Sequence, residues 1–164
     1  MTQKSLLVRT GDFFFKYRNV IFPIVLVGLF LAFKTRDAYF NSEGLEVAKD
    51  AGAIVLTVAG LVLRGAVIGF RYIKRGGLNK KVYAANLVTD GFFGVCRNPL
   101  YVANLMIYAG VLLMHGEPLV LLIGLAFFLG VYHAIVAAEE YFLSQEFGAA
   151  YAAYCADVPR WRLR

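Results

Sequence analysis

Long apolar stretches alternate with short polar ones along this chain, and they are too long for the interior of a soluble domain. A bilayer core about 30 Å thick asks for roughly 20 consecutive, mainly apolar residues in a helix. Four segments meet or approach that length. The first runs Asn19–Phe33, with a backward extension through Phe13-Phe14-Phe15 in which Lys16 and Arg18 snorkel. The second is Ala51–Phe70, the third Pro99–Met114 and the fourth Pro118–Ala138. Pro99 suits the first turn of a helix, where a missing N–H costs nothing. Only His115-Gly116-Glu117 joins the third span to the fourth, which predicts a tight antiparallel hairpin. Beyond Ala138, Leu143, Phe147, Tyr151 and Tyr154 recur at intervals of four, four and three residues. That is one face of a further helix, in the interface or capping the bundle, and Pro159 ends it.

Composition agrees with this pattern. The chain is 60% hydrophobic, where a soluble domain of its size would be about 45–50% apolar. The expected fold class is therefore all-α: an integral membrane bundle of about four transmembrane helices plus a C-terminal interfacial or cytoplasmic helix. No internal repeat or low-complexity linker divides it, so residues 1–164 are read as one membrane domain. Within it, 1–70 carry the first two spans, 71–98 form a loop, and 99–164 form the hairpin and C-terminal helix. Lys34-Thr35-Arg36-Asp37 follows the first run with no small-x-small cleavage site, so the run reads as an uncleaved span. The Arg71–Asn98 loop is longer than a connector needs to be. Gly76-Gly77, Asn79, Asp90-Gly91 and Gly94 break it up, while its spaced aromatic and aliphatic residues argue against disorder.

Charge orients the spans. Four Lys or Arg precede the first span, three lie in Lys34–Asp50 beside four acids, six in Arg71–Asn98, none in His115–Glu117 and three in the tail. The positive-inside rule places both termini and the Arg71–Asn98 loop in the cytoplasm, in the inner membrane if the source is bacterial. A net charge of +6 suits an anionic inner leaflet, and Arg160, Trp161, Arg162 and Arg164 make a basic, aromatic end for the headgroup layer. Nothing in the sequence points to nucleic acid. Cys96 and Cys155 both fall on the cytoplasmic side, where a disulfide is not expected. With His115 and His133 the only histidines, no zinc spacing exists and no metal is expected. The chain contains no Gly-x-Gly, which excludes the dinucleotide fingerprint and the P-loop.

Ionisable groups inside spans carry the most information, because each costs roughly 2.5–3.5 kcal/mol or more unless paired or wetted. Arg64 lies about 9 Å from the cytoplasmic end of the second span, at 1.5 Å per residue. Two readings fit it: a snorkelling arginine, or an inward-facing one that pairs with a carboxylate or an anionic ligand group. Gly65-Ala66-Val67-Ile68-Gly69 beside it is a GxxxG, a spacing that permits close helix contact. Arg97, Tyr101, Asn104 and Tyr108 form one polar stripe on the third span. On the fourth, His133, Ala137 and Glu140 share a face, with Glu139 on the adjacent one. His133 is read either as a satisfied structural histidine or as a catalytic one, and Glu139-Glu140 either as the helix leaving the membrane or as functional acids. The deduced topology gathers Arg64, Arg97, Tyr101, Asn104, His133, Glu139 and Glu140 in the cytoplasmic half. There, arginines suit the carboxylate and glutamates the ammonium of a zwitterion.

Arg97-Asn98-Pro99-Leu100-Tyr101, then Gly110, then a hairpin ending in Glu139-Glu140-x-x-Leu143-x-x-x-Phe147-Gly148-x-x-Tyr151-x-x-Tyr154 resembles the integral-membrane methyltransferase superfamily. Its members include isoprenylcysteine carboxyl methyltransferases and phospholipid N-methyltransferases. The resemblance covers roughly Gly91–Arg160. It implies S-adenosylmethionine at the cytoplasmic end of the C-terminal helices and a lipid or lipid-modified acceptor entering from the bilayer. It also implies cofactor contacts from Arg97, Pro99, Tyr101, Glu139 and Glu140. Asn98 stands where the family has histidine and Ala103 where a glycine is common, and the Gly-x-Gly of phospholipid methyltransferases is absent. Asn98 and Asn104 are taken as further cofactor-binding candidates, and Arg64, His133 and Glu140 as catalytic ones. The acceptor remains open among an isoprenylcysteine carboxylate, a phospholipid amine and a small hydrophobic thiol or amine. A carboxylate needs no base, whereas an ammonium must first lose a proton. Two alternatives are a sterol-reductase-like enzyme using NADPH, which shares a similar Arg-x-Pro-x-Tyr, and a non-enzymatic membrane scaffold.

Overall fold

A computed structural model of the chain describes residues 4–35, 42–70, 82, 84, 86–162 and 164. Four α-helices follow one another: α1 (Leu6–Ala32), α2 (Glu43–Phe70), α3 (Pro99–His115) and α4 (Pro118–Asp157). A 3-10 turn, Gly91–Gly94, precedes α3, and there is no strand among the described residues. Helices α1, α2 and α4 are long and apolar enough to cross a membrane. Helix α3, with 17 residues, rises about 26 Å, close to the hydrocarbon thickness. Side chains such as Ile24, Leu31, Val55 and Leu122 face outward, an arrangement that suits acyl chains rather than water. The expected all-α membrane fold is the one observed.

The helix boundaries differ from expectation for local reasons. Helix α1 includes the polar Arg9–Arg18 stretch and starts at Leu6, where Ser5 Oγ accepts the Val8 N–H. Helix α2 starts at Glu43 rather than Ala51, because Lys49 sits between Glu46 at 2.5 Å and Asp50 at 3.1 Å and its polar first turns support themselves. Most of the expected Lys34–Asp50 loop is thereby helical or lies outside the described residues. The breaks expected at Gly76-Gly77 and Asn79 also lie outside them.

The expected C-terminal helix follows the fourth span directly, across a kink inside α4 and with no connecting loop. Helix α4 runs for 40 residues and turns at Gly148, whose φ of 49° and ψ of −118° interrupt the helical path. A side chain would be strained at this positive φ. At about 1.5 Å per residue, α4 holds more length than one crossing of the hydrocarbon needs.

Contacts divide the described residues into two units. The first is drawn from Met1–Arg18, Ala66–Pro99 and Val131–Arg164, the second from Asn19–Gly65 and Leu100–Gly130. In the first, Val8, Phe15, Val67, Ile135 and Val136 are buried, and Gly11 packs directly on the Ala134 carbonyl, bringing α1 against α4. The expected face of Leu143, Phe147, Tyr151 and Tyr154 forms one cluster with Val158 and Leu87. In the second unit Tyr108 stacks on Phe128 at 4.0 Å, and Phe22 meets Phe128 edge-on at 5.2 Å. Helices α2 and α3 approach closely at Gly60, where a Cβ would come within 2.8 Å of the Ala103 carbonyl oxygen, and at Gly110, against Thr57 and Ala53. At Gly65 and Gly69, the GxxxG, a Cβ would meet nothing within 4 Å among the described residues.

Candidate functional site

In the first unit two guanidiniums, those of Arg97 and Arg160, converge on the carboxylate of Glu140. Arg160 donates from Nε to Glu140 Oε1 at 2.9 Å and from Nη2 to Oε2, a bidentate pair. Arg97 Nη1 lies 3.2 Å from Glu140 Oε1 and 2.7 Å from Cys155 Sγ. The Arg97 and Glu140 side chains are each 16% exposed and that of Arg160 is 34% exposed. The cluster is thus largely removed from water but still open on the Arg160 side.

Its components come from three parts of the chain. Glu140 projects from α4 before the Gly148 bend, and Cys155 from the turns after it. Arg97 lies between the 3-10 turn and Pro99. Tyr154 ties the two sides together by donating from its hydroxyl to the Phe93 carbonyl at 2.7 Å. The tail is fixed to the same segment through Arg97 N–H to the Pro159 carbonyl and Arg164 N–H to the Val95 carbonyl, each 3.0 Å.

Two guanidiniums against one carboxylate leave a surplus positive charge. Burial alone would lower the Arg97 guanidinium, but the Glu140 carboxylate with Cys155 and Tyr151 outweighs it and holds Arg97 above its ordinary value. Burial, then the neighbouring Glu140, pushes the Tyr151 phenol well up. Burial pushes Tyr154 up to about 12, so its hydroxyl stays protonated and keeps donating. Arg97 Nε is buried without a hydrogen-bond partner. A buried donor left unmade is costly. The donor set therefore suits a ligand that carries a carboxylate together with an ammonium group.

Compared with known families, residues 52–150 match the phospholipid methyltransferase family, more than half of the 164-residue chain. The chain belongs to that family. It is thus an integral membrane protein of a methyltransferase family that acts on lipid. No curated protein and no solved structure matches it. The missing Gly-x-Gly does not separate the chain from the phospholipid methyltransferases. The match begins well before Gly91, taking in most of α2, and ends before Tyr151 and the tail.

Set against this family membership, the expected site residues fall into two groups. Arg97, Asn98, Pro99, His133, Glu139 and Glu140 belong to the first unit. Asn98 and Pro99 are buried, and Glu139 is half-buried next to the cluster in sequence. His133 is exposed, between the buried Tyr132 and Ala134, on the outer face of α4. Arg64, Tyr101 and Asn104 belong to the second unit. There Arg64 Nη1 donates to Asn104 Oδ1, joining α2 to α3, so this arginine is turned toward a neighbouring helix instead of snorkelling. Arg160 was read only as part of a basic end for the headgroup layer, and its position on Glu140 corrects that. Its signal in the sequence was weak: one arginine among three, just past the Pro159 that closes the helix.

Proposed function

We propose that this protein is an S-adenosylmethionine-dependent methyltransferase acting on the amine of a phospholipid headgroup at the cytoplasmic membrane face. The observation that carries the reading is the partnerless Arg97 Nε within a cluster of two guanidiniums and one carboxylate. S-adenosylmethionine supplies a methyl group on a sulfonium, and its amino-acid end has the carboxylate and ammonium that this donor set suits. Arg97 and Arg160 would hold the carboxylate, and Glu140 would accept from the ammonium. Tyr151, Tyr154 and Val158 pack with Cys155, the residue that Arg97 also meets, which puts apolar surface beside the cluster and strengthens its electrostatics. His133 faces outward on α4, where acyl chains and headgroups meet the protein, and takes the proton that an acceptor ammonium must lose. The family match favours a phospholipid amine over the other acceptors. The six basic residues of Arg71–Asn98 favour the cytoplasmic face.

The test is purified protein in liposomes of phosphatidylethanolamine, with and without an S-prenylated cysteine acid, given methyl-labelled S-adenosylmethionine. Label in base-stable N-methylated lipid is the expected result. Base-labile label would move the acceptor to a carboxylate, and no label in any lipid would remove the reading.

A further inference from the structure

Arg160 does not lie in α4, the helix that carries Glu140 and Cys155. It follows Pro159, past the end of α4, where no helical hydrogen bonding fixes the backbone. Its main chain is held instead by the segment just before α3. Arg97 N–H donates to the Pro159 carbonyl at 3.0 Å and Arg164 N–H to the Val95 carbonyl at 3.0 Å, one on each side of Arg160. Two side chains then converge on the Arg160 carbonyl: Asn98 Nδ2 at 3.0 Å and Cys96 Sγ at 3.6 Å. A thiol is a weak donor, so the amide carries most of that contact. Asn98 is only 8% exposed, and the bond from its amide goes to the main chain of the tail.

We infer that Asn98 is a positioning residue that acts through Arg160: it pins the tail backbone so that the Arg160 guanidinium reaches Glu140 with two parallel N–H bonds. This goes beyond a direct ligand contact by Asn98 and rests on the charged cluster being the ligand site. Arg160 is then as much a member of that site as Arg97, and one buried amide sets its register. Without the amide donor the Arg160 carbonyl keeps only the thiol, the backbone between Pro159 and Arg164 loosens, and the guanidinium no longer stays on the carboxylate.

The experiment uses full-length, nitrogen-15-labelled protein in detergent micelles, with the Arg160 Nε–H signal assigned by its disappearance in Arg160→Ala. In the wild type this proton exchanges slowly with solvent. In Asn98→Leu, which keeps volume without a donor, its exchange accelerates about tenfold, the size expected for one lost hydrogen bond. Asn98→Ser, whose hydroxyl is too short to reach, shifts exchange the same way and serves if the Leu variant does not fold. Titration with S-adenosylhomocysteine forms the second arm. Asn98→Leu weakens affinity about tenfold in the wild-type background and leaves it unchanged in the Arg160→Ala background. Unaltered Arg160 Nε–H exchange in the variants, or equal affinity losses in both backgrounds, would overturn the inference. If the wild type bound no S-adenosylhomocysteine, the proposed function would fail while the exchange arm still decided the role of Asn98.

Discussion

Replacing Glu140 by glutamine keeps the shape of the side chain and removes the one negative charge of the cluster. The carboxylate now receives two N–H bonds from Arg160 and an ion-pair contact at 3.2 Å from Arg97. A glutamine can accept with one oxygen only, and its NH2 faces guanidinium donors it cannot satisfy. Each unit-charge attraction at such separations is about 4 kcal/mol gross near a protein surface. Desolvation offsets much of it, and the 34% exposure of Arg160 adds screening. The net loss of stability expected for Glu140→Gln is roughly 1–3 kcal/mol, a fall in Tm of about 3–10 °C for a chain of this size. Trp161 is the only tryptophan and adjoins Arg160, so its fluorescence during heating in detergent reports the release of the tail as well as global unfolding. Affinity for S-adenosylhomocysteine should fall more than tenfold, since hydrogen bonds to charged groups contribute about 1.5–3 kcal/mol each. Unchanged Tm and unchanged affinity together would refute the claim that Glu140 holds both the arginines and the ligand.

Four further outcomes are expected. Gly60→Leu puts a side chain where a Cβ would already meet the Ala103 carbonyl oxygen at 2.8 Å, so it should destabilise by at least about 2 kcal/mol, read as loss of monodisperse protein after mild heating. Tyr154 titrates at about 12 when folded and near 10 when unfolded. The unfolded phenol loses its proton first, so stability falls as pH rises from about 10 to about 12; Tyr154→Phe should flatten that alkaline slope in denaturation curves. Arg64→Leu strands Asn104 Oδ1 and should cost about 1–2 kcal/mol. A double variant with Asn104→Leu should be no worse than either single one, whereas lost activity at full stability would return Arg64 to a catalytic role. His133→Ala should lower turnover of an amine acceptor and leave S-adenosylhomocysteine affinity intact, as calorimetry would show.

What could be read from the sequence depended on how local its physical cause is. Spans were legible because bilayer thickness sets a length that Asn19–Phe33, Ala51–Phe70 and Pro118–Ala138 announce directly. Their ends were less so, since polar turns such as Glu43–Asp50 extend a helix through pairs like Lys49 with Glu46 that no hydropathy pattern reports. Where the C-terminal helix parts from the fourth span turned on the backbone of one residue, Gly148. Glycine spacing does not say which face meets a helix: the close approaches are at Gly60 and Gly110, not at the GxxxG near Arg64. Arg97 and Glu140 were legible because buried opposite charges seek one another. Arg160 was not, for its approach to Glu140 depends on a tail folded back through Asn98, a long-range contact 62 positions apart. For the same reason Arg64 and Asn104 were visible as polar positions but not as partners, 40 positions apart.

The central claim is that Arg97, Glu140 and Arg160 form the binding site for a sulfonium amino acid. It is tested most directly by calorimetric titration of the purified wild type and Arg97→Ala with S-adenosylhomocysteine and, separately, with NADPH. The account predicts saturable binding of S-adenosylhomocysteine to the wild type, at least tenfold weaker binding to the variant, and none of NADPH to either. Binding of NADPH alone, or equal S-adenosylhomocysteine affinity in both proteins, would contradict it.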